Sequence, residues 1–127
     1  LGAQRAMVVH AHDGLDELTL TAKTRVVHIH NGQPREETVD PQSLGLRACS
    51  IEDLQATDVE HAATILHDVF AAKDTVHTDM VILTTAGALI VAGVCDSFAQ
   101  GIQIARDTIV SGRAMQTLDS LITASNG

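Results

Sequence analysis

Residues 24–40 read TRVVHIHNGQPREETVD. Asn31-Gly32-Gln33-Pro34 supplies the chemistry of a hairpin turn, and strand-forming residues precede it. Successive side chains of a strand alternate faces, so Val27 and Ile29 share one face and His28 and His30 the other. Asp40-Pro41 stops the second arm. A hairpin here excludes an all-helical chain.

Upstream, RAMVVHA (residues 5–11) has the apolar run of a strand buried on both faces, as in a parallel sheet. After the loop HDG, ELTLTA sets Leu18 and Leu20 against Thr19 and Thr21. That alternation predicts a half-buried strand beginning near Glu17. Downstream the periodicity changes from two to 3.6. Ser50 can cap a short helical turn over residues 51–55. Thr57 with Glu60 has capping-box spacing and opens a helix to about Ala72, with Val59, Ala62, Leu66 and Val69 or Phe70 as its apolar stripe. A third helix is expected over residues 78–92. Asp96 or Ser97 caps a fourth, whose Phe98, Ile102, Ala105 and Ile109 fall on one face, and Gly112 ends it. Met115, Leu118 and Ile122 mark a terminal helix. The expected class is α/β: a mixed sheet with a β-hairpin, followed by four principal packed helices.

The chain has 127 residues, enough for one domain with a core, and 45% are hydrophobic. Phe70 and Phe98 are its only aromatics besides histidine, so aliphatic residues and alanine must fill that core. The net charge of −8, from 8 basic and 16 acidic residues, argues against a nucleic-acid surface, where lysine and arginine must neutralise phosphates. A phosphorylated ligand would need a metal cation to supply the missing positive charge. Residues 80–95 are uncharged but short for a membrane span and contain Thr84, Thr85, Gly87 and Gly93; a helix buried on most sides fits better. Cys49 and Cys95 lack a CxxC spacing and read as thiols of a reducing compartment.

The densest polar stretch is HAHDGLDELTLT, residues 10–21. Asp16 and Glu17 are adjacent, so a regular strand would point them to opposite faces. They can reach one cation only from a turn, and Gly14 supplies the freedom for one. Two carboxylates on a turn beyond the end of the first strand suit magnesium, which keeps several waters and takes substrate phosphates as further ligands. A solvated acidic turn is the plainer alternative. His10 and His12, with Asp13, also look like part of a zinc-hydrolase cluster, and His28 and His30 repeat the spacing. Zinc would need these imidazoles to converge.

The stretch VVHAHDGLDELTLT (residues 8–21) closely resembles a signature of the anthranilate phosphoribosyltransferases, and its GLDELT core is fairly specific within the wider nucleoside phosphorylase and phosphoribosyltransferase superfamily. The similarity continues through TRVVHIHNGQPREETVDP, SIEDL and VAGVCDSFAQGIQIARDTIVSGRAMQTLDSL, covering essentially the whole chain. The resemblance implies that residues 1–127 are the C-terminal part of a single α/β catalytic domain. It implies transfer of the phosphoribosyl group from phosphoribosyl pyrophosphate (PRPP) to the amine of anthranilate, a step of tryptophan biosynthesis, in the cytoplasm. Its metal site is an Asp–Glu pair, which falls on Asp16 and Glu17, holding Mg²⁺ against the pyrophosphate. The histidines then become bystanders. The resemblance further implies a homodimer formed through a separate N-terminal helical domain, no nucleic acid or membrane partner, and little activity from these residues alone, since the family's glycine-rich PRPP loop and anthranilate-binding arginine are not among them. Departures from the family pattern are Ala22-Lys23 for Gly-Pro and Thr84-Thr85-Ala86 for Asn-Ala-Ala. Competing readings are a non-catalytic binding paralogue of the same fold and a metal-dependent hydrolase built on the HxHD cluster.

Overall fold

The computed structural model describes residues 5–12, 14 and 17–126, without the side chains of residues 117, 118, 121, 122, 125 and 126. Among these, three strands form an antiparallel sheet in the order β1-β2-β3: β1 (Arg5–Ala11), β2 (Thr24–His30) and β3 (Gln33–Val39). Asn31 and Gly32 adopt φ of 52° and 78°, the left-handed pair that a type I′ turn requires. The turn sets the hairpin register, with His30 opposite Gln33 and Thr24 opposite Val39.

That register sorts the sheet into rows. On the inner face Ala11, Thr24 and Val39 form one buried row and Val9, Val26 and Glu37 the next. Rows nearer the turn, Met7-His28-Arg35 and Arg5-His30-Gln33, become progressively polar. The apolar end of this face is covered by helices. A 3₁₀ turn (Gln42–Leu44) and the short α1 (Ile51–Leu54) lead into α2 (Val59–Phe70), α3 (Val76–Val91), α4 (Phe98–Val110) and α5 (Arg113–Asn126).

Helix α3 is the hub. Thr78, Asp79, Ile82, Leu83, Ala86, Gly87 and Ile90 are buried, so it is enclosed on most sides, as the uncharged run from Met80 predicts. It lies against α4 at a close crossing: a Cβ placed on Gly101 would stand 2.9 Å from both Cα and Cβ of Ala86. Alanine and glycine at that crossing let the two backbones approach closely, which leaves little space for large side chains to fill. Ser97 caps α4 by accepting the Gln100 amide, and Phe98, Ile102, Ala105 and Ile109 are buried as a single stripe.

Four expectations need correction. Residues 17–23 form no strand: Thr19 is as buried as Leu18 and Leu20, so both parities face inward and the alternation carries no face information. The β1 strand is not buried on both faces among the described residues, since Val8 is 57% exposed on the outer side; its described neighbour β2 is antiparallel. Helix α2 is capped by Asp58, not Thr57: the Asp58 carboxylate takes the His61 amide at 2.7 Å, while the His61 ring turns back to accept the Thr57 amide at 3.0 Å. The stripe read on α2 is mostly exposed, with Val59 85% and Leu66 49% accessible and only Val69 buried.

Candidate functional site

The β1 strand ends in a turn. Past Ala11 the chain reverses: the Gly14 amide donates to the Ala11 carbonyl (3.0 Å), the His12 amide donates to Lys23 O (2.9 Å), and Gly14 sits at φ 95°. Asp13, Leu15 and Asp16 lie outside the described residues. Glu17 is exposed on a bend, and its carboxylate has no hydrogen bond or ion pair with any described residue.

The residues immediately after Glu17 are anchored. Leu18, Thr19 and Leu20 are 8%, 1% and 2% accessible. The Thr19 hydroxyl accepts the Thr21 amide at 3.1 Å and lies 2.8 Å from the Thr21 hydroxyl, a local side-chain-to-backbone turn. Leu20 O accepts the Cys49 amide, tying the segment to the loop before α1. Glu17 therefore projects from a connection fixed in the core, and with Leu18 it borders a cleft of about 510 Å³ between Met7 and Val9 of β1 and Thr84, Gly87 and Ala88 of α3. An exposed, uncompensated carboxylate beside a cleft suits a hard cation shared with a phosphorylated ligand.

The histidines do not converge. His28 stands opposite Met7 and His10 opposite Arg25, so the two pairs are displaced along the strands, and among the described residues no three histidine, cysteine or acidic side chains group as a metal site. His28 is buried: it is 7% accessible, tilted against Phe98 with ring centroids 6.1 Å apart, and its Nε2 is 2.6 Å from Glu37. A second cleft, of about 400 Å³, opens near the hairpin and is bordered by Arg5, His28, Arg35 and Asp96. Its charges are already paired, Arg5 with Asp96 at 3.6 Å and Arg35 with Glu37 at 3.4 Å.

The remaining charged cluster is a clamp. Arg47 donates from Nε and from its backbone amide to the buried Asp79 carboxylate, at 2.8 and 3.2 Å, and pairs also with Asp74. These carboxylates, Asp74 first, hold the guanidinium pKa above its ordinary value. The clamp fixes residues 45–50 to the start of α3. Burial, then the nearby Asp53 and Asp79 charges, pushes the half-buried Cys49 thiol up, which makes it a poor nucleophile. Cys95 is buried. No helix among the described residues is long and apolar enough to cross a membrane.

The profile of the "Glycosyl transferase family, a/b domain" matches residues 1–115. The chain belongs to this family. Members named anthranilate phosphoribosyltransferase are similar over nearly its whole length: the Nitrosomonas eutropha protein is 40% identical across 99% of the chain, and the Laribacter hongkongensis protein 42% across 96%. The chain spans 37% and 36% of the lengths of these two relatives. Among solved structures, the anthranilate phosphoribosyltransferase of Thermus thermophilus superposes with a TM-score of 0.79 at 28% identity, covering 94% of this chain and 35% of that one. The Saccharomyces cerevisiae enzyme, solved in complex with PRPP and Mg, superposes with a TM-score of 0.76 over 89% of this chain and 33% of that one. At 24% identity this last likeness speaks to the fold alone.

The fold thus agrees with that of the Thermus thermophilus enzyme over 94% of the chain. Sequence reasoning singled out Asp16 and Glu17 but missed the seat of Glu17, the buried Leu18–Leu20 segment against Gly87. The signal was available: a glycine in the middle of an apolar helix costs about 1 kcal/mol relative to alanine, so its presence points to a close contact.

Proposed function

We propose that this chain is the magnesium-carrying C-terminal part of the α/β catalytic domain of an anthranilate phosphoribosyltransferase, which transfers the phosphoribosyl group of PRPP to anthranilate in cytoplasmic tryptophan biosynthesis. The observation that carries the reading is the exposed Glu17 carboxylate, without a partner among the described residues and held beside a cleft by a buried anchor, within a GLDELT stretch. Named relatives 38–42% identical over nearly the whole chain support it.

Asp16 and Glu17 would hold the metal; when bound, Mg²⁺ neutralises the negative charge that gathers on departing pyrophosphate. The chain's own task is positioning. The turn after β1 would present the Asp16 and Glu17 oxygens at the sheet end, while the Thr19–Thr21 turn and the Leu18 and Leu20 side chains anchor the chain just beyond Glu17. The Ala11–Gly14 reversal is closed by the Gly14 amide donating to the Ala11 carbonyl. With a net charge of −8 the chain has little cationic surface for phosphates, which makes a metal the natural counter-charge. PRPP and anthranilate are the partners proposed, and a homodimer through a helical domain outside this chain.

The chain spans little more than a third of its relatives' length, so residues 1–127 alone are expected to be inactive. Purified chain mixed with anthranilate, PRPP and Mg²⁺ should leave anthranilate fluorescence unchanged, and addition of the remaining part of the protein should restore its decay. Turnover by the chain alone, free of host enzyme, would show that the active site has been misplaced.

A further inference from the structure

We propose that Gly87 and Leu18 together act as a positioning lock for the Glu17 carboxylate, so that the contact between one leucine and the bare backbone of α3 sets the affinity of the metal site. The inference rests on the metal role proposed for Glu17 and deepens it.

Gly87 lies mid-way along α3, flanked by Ala86 and Ala88, where alanine would stabilise the helix by about 1 kcal/mol. Neither a turn nor a positive φ calls for glycine there. What does is space. A Cβ on Gly87 would stand 2.7 Å from Cδ1 of Leu18, 3.7 Å from Sδ of Met7 and 3.8 Å from Cε1 of Phe98. Leu18 thus seats its methyl directly on the helix backbone, in a notch walled by β1 and α4. It is the first buried residue after the exposed Glu17, and the two border the same cleft with Thr84, Gly87 and Ala88.

The other glycine at a tight contact behaves differently. At Gly101 the obstacle is the backbone of Ala86, which cannot yield, so that glycine serves packing. At Gly87 the obstacle is the far end of a flexible side chain. Adding a methyl there leaves the helix in place and displaces Leu18 instead. On its C-terminal side the backbone cannot follow, because Thr19 and Leu20 are fixed in the core and Leu20 O holds the Cys49 amide. The displacement passes to Glu17. Residues that orient metal ligands without touching the metal change affinity about 10- to 100-fold when altered.

The test uses the whole protein carrying this chain, with Mn²⁺ as an electron paramagnetic resonance probe titrated in the presence of PRPP, and the unfolding temperature measured in parallel. Gly87→Ala should weaken Mn²⁺ binding about 10-fold at an unfolding temperature equal to or above the parent's. Leu18→Val, which removes one methylene from the notch, should also weaken binding. The double variant Gly87→Ala/Leu18→Val conserves volume and should recover most of it. A merely structural contact would move stability and leave Mn²⁺ affinity alone, and that result would overturn the lock. So would weakening in Gly87→Ala that the double variant does not reverse. Glu17→Gln separates the two layers: if it binds Mn²⁺·PRPP like the parent, the metal reading itself fails, whereas loss of binding in Glu17→Gln with normal binding in Gly87→Ala removes only the lock.

Discussion

Helices α2 and α4 carry the same kind of sequence and meet different fates. Each is opened by a side-chain cap and has apolar residues at helical spacing. In α4 the stripe Phe98, Ile102, Ala105 and Ile109 is 3–8% accessible, pressed on α3. In α2 the stripe Val59, Ala62, Leu66 and Val69 is buried only at its last member. Periodicity reports that a face is apolar; it does not report that a neighbour faces it. Helix α4 finds its neighbour because two small residues, Ala86 and Gly101, let the backbones approach. The first turns of α2 have no such partner among the described residues.

Urea unfolding of residues 1–127 can break or sharpen this contrast. The largest effect is expected from Gly101→Val, which would drive a branched side chain into the Ala86 backbone and cost about 4 kcal/mol; a loss under about 1 kcal/mol would mean that the α3–α4 crossing is looser than its contacts indicate. Next comes Phe98→Ala, which empties the space beside His28 and should cost about 3–4 kcal/mol. The smallest is Leu66→Ala on α2, expected within about 0.5 kcal/mol of the parent. If Leu66→Ala were as costly as Phe98→Ala, the two helices would not differ as described.

Legibility from sequence divides along the same line. Local chemistry could be read directly. Asn31-Gly32 marks the hairpin, Ser50 and Ser97 cap their helices, and the uncharged run from Met80 marks the buried helix. Features decided by distant neighbours could not. Residues 17–23 alternate like a strand but lack a strand to pair with, and are held by the Thr19 hydroxyl and the Cys49 amide instead. The burial of His28 could not be read from its strand position; the fold places Phe98 and Glu37 around it. The exposure of Val8 depends likewise on what lies beside β1. Of the metal pair, Glu17 is seen exposed and unpaired, whereas Asp16 lies outside the described residues. The role of the pair came from resemblance, because two adjacent acids on a turn are equally good as a solvated surface.

The most direct test of the proposed role is the turnover of anthranilate by the whole protein bearing Asp16→Asn and Glu17→Gln, measured at saturating PRPP and Mg²⁺. Removing both charges should lower the rate by about 100-fold or more, the scale of lost electrostatic stabilisation of a departing anion, with an unfolding temperature close to the parent's because Glu17 makes no described contact that the fold needs. Turnover near the parent's rate would contradict the assignment of the metal to this turn.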